Sequence, residues 1–289
     1  MSVSTPTCVA CGGREFRKLF TKKGRDFWRC RGCGYETIYP LPTRDQLQAY
    51  YEASYAEGMY SAFVAAAEMK RLTARRRLEM TRPHCRPGPW LDVGCSDGTF
   101  VEQARREGID AEGIELSAAA VETATRRGLP VRCGTIDEAA NGRRFSTVSA
   151  FDLLEHVLDP VASLAAIHRV LEPGGALVLT VPNVACLPRR LMGRRWYFYI
   201  PEEHLHYFDP TSIRLLLGRS GFTVERVARA MKSLTWRYAL GQFQEYNPRL
   251  HRLLQGVSRL LPARLRERPV HLYIGEMLVI ARRAPEAAV

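Results

Sequence analysis

Eight cysteines and seven histidines stand in a chain of 289 residues, and their spacing is uneven. Cys8-x-x-Cys11 and Cys30-x-x-Cys33 form two knuckles separated by a basic, aromatic segment. Each knuckle offers two sulfurs from one tight turn, and four thiolates suit tetrahedral zinc. A module of this size buries little core, so a bound metal supplies its folding energy. Disulfides are the competing use of the same cysteines, disfavoured in a reducing compartment. Cys85, Cys95, Cys133 and Cys186 are scattered and read as plain buried thiols. Three further groups could do chemistry: Asp92 to Gly98, Asp152-x-x-Glu155-His156, and His204-x-His206.

The first is Trp90-Leu91-Asp92-Val93-Gly94-Cys95-Ser96-Asp97-Gly98-Thr99. It reads as a buried strand, a tight small-residue loop and a helix opening near Thr99. Such a loop lets a ligand touch backbone, and helix amides point at whatever sits there. The dinucleotide fingerprint requires glycine at the first, third and sixth positions, where this chain has Gly94, Ser96 and Thr99. The shorter pattern, acid-x-Gly-x-Gly-x-Gly, fits at Asp92, Gly94 and Gly98, with Ser96 in place of the middle glycine.

That pattern resembles the cofactor loop of class I S-adenosylmethionine-dependent methyltransferases, and the likeness extends from Trp90 to about Arg283. It implies a Rossmann-like α/β fold, a seven-stranded sheet with helices on both faces, to which the N-terminal zinc ribbon is added. Residues 111–115 read as the second strand. The resemblance gives its terminal acid, Glu115, to both ribose hydroxyls, since a carboxylate offers two acceptors to a vicinal diol. It also places Leu116, Thr135, Ile136, Phe151 and Asp152 beside the cofactor. The usual acid of the adenine segment is displaced here to Asp137. The Leu-x-Pro-Gly-Gly turn at 171–175 is a further match.

Asp152, Glu155 and His156 are spaced i, i+3, i+4, which puts all three on one face of a helical turn. The segment resembles the Glu-x-x-Glu-His element of small-RNA 3′-end and quinone O-methyltransferases, where it supports metal binding. Asp152 and Glu155 also read as a D-x-x-E capping box, and this is the preferred reading, with His156 lining the pocket and a second divalent cation not favoured. In the resembled branch the His-x-His-aromatic stretch closes over the methyl group. His204, His206 and His156, in that order, are the candidate bases for a hydroxyl acceptor.

The positioning elements follow. Residues 1–40 form the ribbon, with strands over 16–19 and 26–29. A helical lid and linker spans 41–89, capped by Thr43 and carrying Tyr50, Tyr51, Tyr55 and Tyr60. Its Arg75-Arg76-Arg77 run reads as exposed surface. The methyltransferase domain is 90–283, with strands at 90–93, 111–115, 131–134, 145–151, 176–181, from Phe222 onward, and 275–281. Ser117, Asp159 and Asp209 open helices, the last two followed by proline. A long excursion, 184–208, mixes arginines with aromatics and is the expected substrate loop. A basic amphipathic insertion covers 233–268, and 284–289 is a tail.

Hydrophobic residues make up 46% of the chain and charged ones 25%, ordinary for a globular protein. The net charge of +12 favours anionic partners without selecting one. No apolar leader or membrane-length apolar run is evident, and the chain reads as cytoplasmic; the insertion leaves peripheral membrane contact open, and oligomeric state is undetermined. The leading expectation is O-methylation of a small hydroxylated metabolite, sugar or glycan. An RNA methyltransferase is the alternative, although no asparagine-proline-proline-aromatic motif follows the fourth strand. A non-catalytic zinc-ribbon interaction protein on the same fold is the third reading.

Overall fold

The computed structural model describes residues 6–47, 49–50, 67–136, 138, 142–235, 240, 248–260, 262 and 269–285. Tyr51, Tyr55, Tyr60 and Asp137, most of the linker between Thr235 and Pro269, and the end of the tail lie outside these residues.

The larger sheet has seven strands in the order β10-β11-β8-β7-β4-β5-β6. They are β4 (Trp90–Val93), β5 (Ala111–Glu115), β6 (Val131–Cys133), β7 (Phe145–Phe151), β8 (Leu171–Pro182), β10 (Phe222–Thr235) and β11 (Pro269–Arg283). All pairs from β8 to β6 are parallel, while β11 runs antiparallel to both β8 and β10. The strand order reverses between β4 and β7, and in a doubly wound sheet ligands bind at that crevice.

Alternation along the strands supplies both faces. Trp90, Val178, Leu278 and Ile280 pack with α1 (Ala67–Thr81) and α2 (Thr99–Arg106). Leu91, Val93, Val148, Leu177 and Leu179 pack with α4 (Pro160–Val170) and α6 (Pro210–Arg219) on the other side. Between them in the chain comes α3 (Ala118–Arg126), whose Ser117 cap accepts from Ala120 N at 3.3 Å. The Asp159 and Asp209 carboxylates likewise cap α4 and α6 ahead of a first-turn proline. A short α5 (Leu187–Met192) opens the excursion, and α7 (Pro248–Leu260) lies within the insertion. Among the described residues no helix is long and apolar enough to cross a membrane.

The smaller sheet departs from the expected boundaries. It has four strands, β1 (Phe16–Lys22), β2 (Arg25–Cys30), β3 (Glu36–Tyr39) and β9 (His206–Tyr207). The hairpin turn is Lys23-Gly24, both at positive φ, as a two-residue connection requires. The fourth strand comes from the far end of the excursion, with Glu36 opposite Tyr207 and Thr37 opposite His206. Cys8, Cys30, Cys33 and Tyr35 share one core with Phe208, Ile213 and Leu217. Residues 6–40 are therefore built into the catalytic domain. Of the remaining cysteines, Cys95 and Cys186 are buried as expected, but Cys133 is exposed and Cys85 only half-buried.

Candidate active site

The glycine loop turns out of β4 through Gly94 (φ +70°), Ser96 (φ +51°) and Gly98 (φ +72°). A Cβ at Gly98 would stand 2.9 Å from Leu129, so glycine meets both a steric and a conformational demand there. Glu115 ends β5 beside this loop. Its carboxylate accepts from Ser96 N at 2.9 Å, Leu116 N at 2.8 Å and Ser117 N at 3.0 Å. Three amides hold it facing the loop, with lone pairs to spare. The side chain of Leu116 is 73% exposed, an apolar surface next to the acid. Ile136 is buried in the core, while Thr135 donates through both its amide and its hydroxyl to Glu138 at 2.9 Å.

Asp92 points inward. It is buried, accepts from the Ser149 hydroxyl, and Ser149 in turn accepts from Trp90 Nε1 at 2.9 Å. Burial pushes its carboxyl up to about 7, against the Ser149 bond and the nearby Arg77 charge. Phe151 is likewise inside, 4.8 Å from Phe100 between ring centroids and beneath the Arg77 guanidinium.

The segment after β7 is a turn, and the expected capping box does not form. Asp152 adopts φ +51°, and its carboxylate accepts from Arg77 at 2.6 Å and from the Thr180 hydroxyl at 2.7 Å. Its pKa lies below the usual carboxylate range; burial opposes this, but Arg77 and then Lys232 overcome it. Arg77 is thus no part of an exposed surface. Lys232 of β10 pairs with the buried Glu276 of β11 and lies 3.9 Å from Asp152. Sequence reasoning passed over Lys232 and Glu276, although a charge inside an apolar strand was the available signal.

Glu155 and His156 come together with His204. One ligand atom from each lies within 4.8 Å of the other two. Glu155 is 1% exposed, its Oε2 has no hydrogen-bond partner, and burial first and Asp152 second raise its pKa well above normal. His204 Nδ1 is 2.8 Å from the carbonyl of Phe198, so Nδ1 carries the proton and Nε2 the lone pair. His156 similarly hydrogen-bonds the backbone of Glu203. Burial lowers both imidazoles, His204 to about 3, so both are neutral near pH 7. Two neutral imidazoles, each oriented by a backbone carbonyl, and one buried carboxyl group could together hold a divalent cation.

His206 is separate from this trio. Its Nε2 donates to the carbonyl of Val157 at 2.9 Å, and its Nδ1 accepts from the Tyr35 hydroxyl. Both ring nitrogens are committed, so His206 has no lone pair left to act as a base. Most of the excursion's aromatics lie inside the fold, with Tyr197 half-buried. Trp196, Tyr199 and Tyr207 are fully buried and pack with Phe27 and Ile38 of the ribbon. Arg189 reaches the buried Glu36 at 2.8 Å, while Arg190, Arg194 and Arg195 are exposed.

In the ribbon, Sγ of Cys8 and Cys33 are 3.5 Å apart, and those of Cys11 and Cys30 are 3.6 Å apart. All four sulfurs lie within 4.8 Å of one another and none is in a disulfide. A zinc–sulfur bond of about 2.3 Å gives a tetrahedron with edges of roughly 3.8 Å, close to these distances. Cys8 Sγ and Cys11 Sγ accept from Cys11 N and Gly13 N at 3.5 and 3.4 Å, as thiolates held in knuckles do.

Residues 65–227 match the family model described as a methyltransferase domain. The chain belongs to that family. Its fold is that of S-adenosylmethionine-dependent methyltransferases. It is 29% identical over 156 residues to a ubiquinone biosynthesis O-methyltransferase of Alkalilimnicola ehrlichii, covering 50% of this chain and 63% of that protein. A protein of the same description from Xanthomonas oryzae pv. oryzae is 35% identical over 152 residues, 48% of this chain and 64% of its own length. The chain thus spans less than two thirds of these relatives. Among solved structures, the 1,6-didemethyltoxoflavin-N1-methyltransferase of Burkholderia thailandensis superposes with a TM-score of 0.53 at 15% identity, over 92% of this chain and 99% of that one. A methyltransferase from Thermotoga maritima gives 0.52 at 16% identity, over 81% and 99%. These likenesses are of fold.

Proposed function

We propose that this methyltransferase moves the methyl group of S-adenosylmethionine to a hydroxyl of a small hydroxylated molecule, with a divalent cation at Glu155, His156 and His204. Glu115 takes the ribose diol, the 94–98 loop takes the methionine end, and Leu116 with Ile136 flanks the adenine. The cysteine cluster holds structural zinc. The donor brings an already activated methyl, so the chain's task is alignment and water exclusion.

The observation that carries this reading is the buried Glu155 just after β7, whose Oε2 has no hydrogen-bond partner, with one of its oxygens and one nitrogen each of His156 and His204 all within 4.8 Å of one another. A bound divalent ion would hold the acceptor oxygens and lower a hydroxyl pKa at neutral pH. His204 then serves as a ligand, since Nε2 offers only one lone pair. O-methylation also agrees with the names of the relatives in ubiquinone biosynthesis. The nucleic-acid alternative is weaker, because Lys18 and Lys23 of the ribbon are already paired with Asp26 and Glu202, each at 2.8 Å.

The test supplies labelled S-adenosylmethionine with a panel of vicinal diols, phenols and total RNA, with and without Mg²⁺ or Mn²⁺. Label on a small hydroxylated acceptor, dependent on the metal and lost in Glu155→Gln, is expected. Metal-independent transfer, or label on RNA alone, would overturn it.

A further inference from the structure

We propose that His206 is a positioning residue, through which the four-cysteine ribbon holds the acceptor side of the site in place. Its ring hydrogen bonds go to neither the glycine loop nor the Glu155–His156–His204 trio. It bridges the ribbon and the turn after β7 through its side chain. On one side its Nδ1 accepts from Tyr35, two residues beyond Cys33 and fully buried in the same core as Cys8, Cys30 and Cys33. On the other its Nε2–H donates to Val157, the residue after His156.

The backbone repeats the arrangement. Leu205 N and His206 N both donate to the carbonyl of Glu155, at 2.7 and 3.2 Å. The carbonyl of Leu205 accepts from Ile38 N at 3.2 Å and from the Thr37 hydroxyl at 2.8 Å. Residues 204–207 are therefore clamped between the outer edge of β3 and the turn that carries Glu155 and His156. Near its start, the excursion is tied by Glu36, which accepts from Arg189 at 2.8 Å and from the Tyr199 hydroxyl at 2.6 Å. Lys22 adds a bond to the carbonyl of Tyr199 at 2.7 Å.

The cofactor loop has other supports. Gly94 N and Cys95 N donate to the carbonyl of Ile114 at 2.9 and 3.1 Å, and Ser96 N donates to Glu115. The geometry thus divides the site. The cofactor half is built by β4 and β5, whereas the acceptor half depends on the ribbon and transmits its metal occupancy through Tyr35, His206 and Val157. This goes beyond methyl transfer itself, and only one of the readouts below rests on the cation reading.

The test compares the full-length chain with Tyr35→Phe, which keeps the ring and removes the hydroxyl, and His206→Gln, which keeps a donor for Val157 and loses the acceptor for Tyr35. S-adenosylhomocysteine affinity by calorimetry is expected to stay within about twofold. Amide hydrogen exchange at 153–158 and 200–208 should accelerate about tenfold, the weight of one buried hydrogen bond, while 90–117 is unchanged. Stripping metal from the ribbon of the parent should accelerate exchange more at 153–158 and 200–208 than at 90–117. Mn²⁺, a hard ion that avoids the thiolates, should bind the variants about tenfold more weakly by the same reckoning. Unchanged exchange at 153–158 would overturn the proposal, as would equal acceleration at 90–117. A parent chain that binds no Mn²⁺ would remove the cation reading alone, because the exchange comparison is independent of it.

Discussion

The imidazoles of His156 and His204 meet edge to face, with ring centroids 4.7 Å apart and planes at 83°. His156 comes from the turn after β7 and His204 from the end of the excursion. Each ring hydrogen-bonds the backbone, His204 at Phe198 and His156 at Glu203, and one ligand atom of each lies within 4.8 Å of one from Glu155. If this pair holds a cation, His204→Gln keeps the volume and removes the ligand. Methyl transfer should fall on the order of 10²-fold, within the range for a lost ligand or its support, while S-adenosylhomocysteine still binds. Mn²⁺ titration alongside calorimetry checks both halves; loss of cofactor affinity would place His204 elsewhere.

Glu115 offers a separate measurement. Its carboxylate organises three amides beside the glycine loop, where the proposal seats the ribose. Hydrogen bonds to charged groups contribute about 1.5–3 kcal/mol each, so Glu115→Ala should weaken S-adenosylhomocysteine by roughly 10–100-fold or more. Calorimetry that shows unchanged affinity would remove the ribose assignment.

The ribbon should carry one zinc per chain, read by elemental analysis. Cys8→Ser should abolish stoichiometric zinc and lower the melting temperature of the whole chain, because Cys8 shares a core with α6 and the sheet. Zinc sites of this kind contribute on the order of 10 kcal/mol of apparent folding energy in small peptides. A variant that melts in two steps, with an unchanged upper transition, would show instead that the ribbon is energetically separate.

Asp92 makes stability depend on pH. Its carboxyl titrates at about 7 in the fold and near 3.8 when unfolded. Between those values the folded chain keeps a proton that the unfolded chain has released. Raising the pH across that window therefore withdraws stability, on the order of 4 kcal/mol once ionisation is complete. Asp92→Asn still accepts from Ser149 and cannot titrate. Without cofactor, its melting temperature relative to the parent should rise from pH 5 to pH 8; a constant difference would show that Asp92 titrates normally.

Much of the sheet was legible from composition. Strand β7 falls on Phe145–Phe151 as expected, because an uncharged run of aromatic, β-branched and small residues between a charged turn and Asp152 admits few alternatives. The caps at Ser117, Asp159 and Asp209 likewise carry their own local chemistry. The end of β10 and the start of β11 were hidden, since residues 233–268 read as an amphipathic insertion and the last strand as beginning only at 275, whereas the two strands extend their pairing to Thr235 and Pro269. Spacing alone put Asp152 on the same face as Glu155. Its positive φ and the pull of Arg77, a distant residue on α1, turn it away. The role of His206 could not be read from sequence, because His-x-His looks the same whether a ring faces a substrate or a tyrosine.

One consequence of β9 concerns synthesis. During translation the amino-terminal hairpin emerges early, yet the outer edge of β3 has no partner until Tyr207 leaves the ribosome. An open strand edge invites pairing with other chains. A fragment ending shortly after Tyr39 should therefore self-associate even when saturated with zinc, and in the nascent protein the whole stretch between Tyr39 and His206 must be made before that edge is sealed.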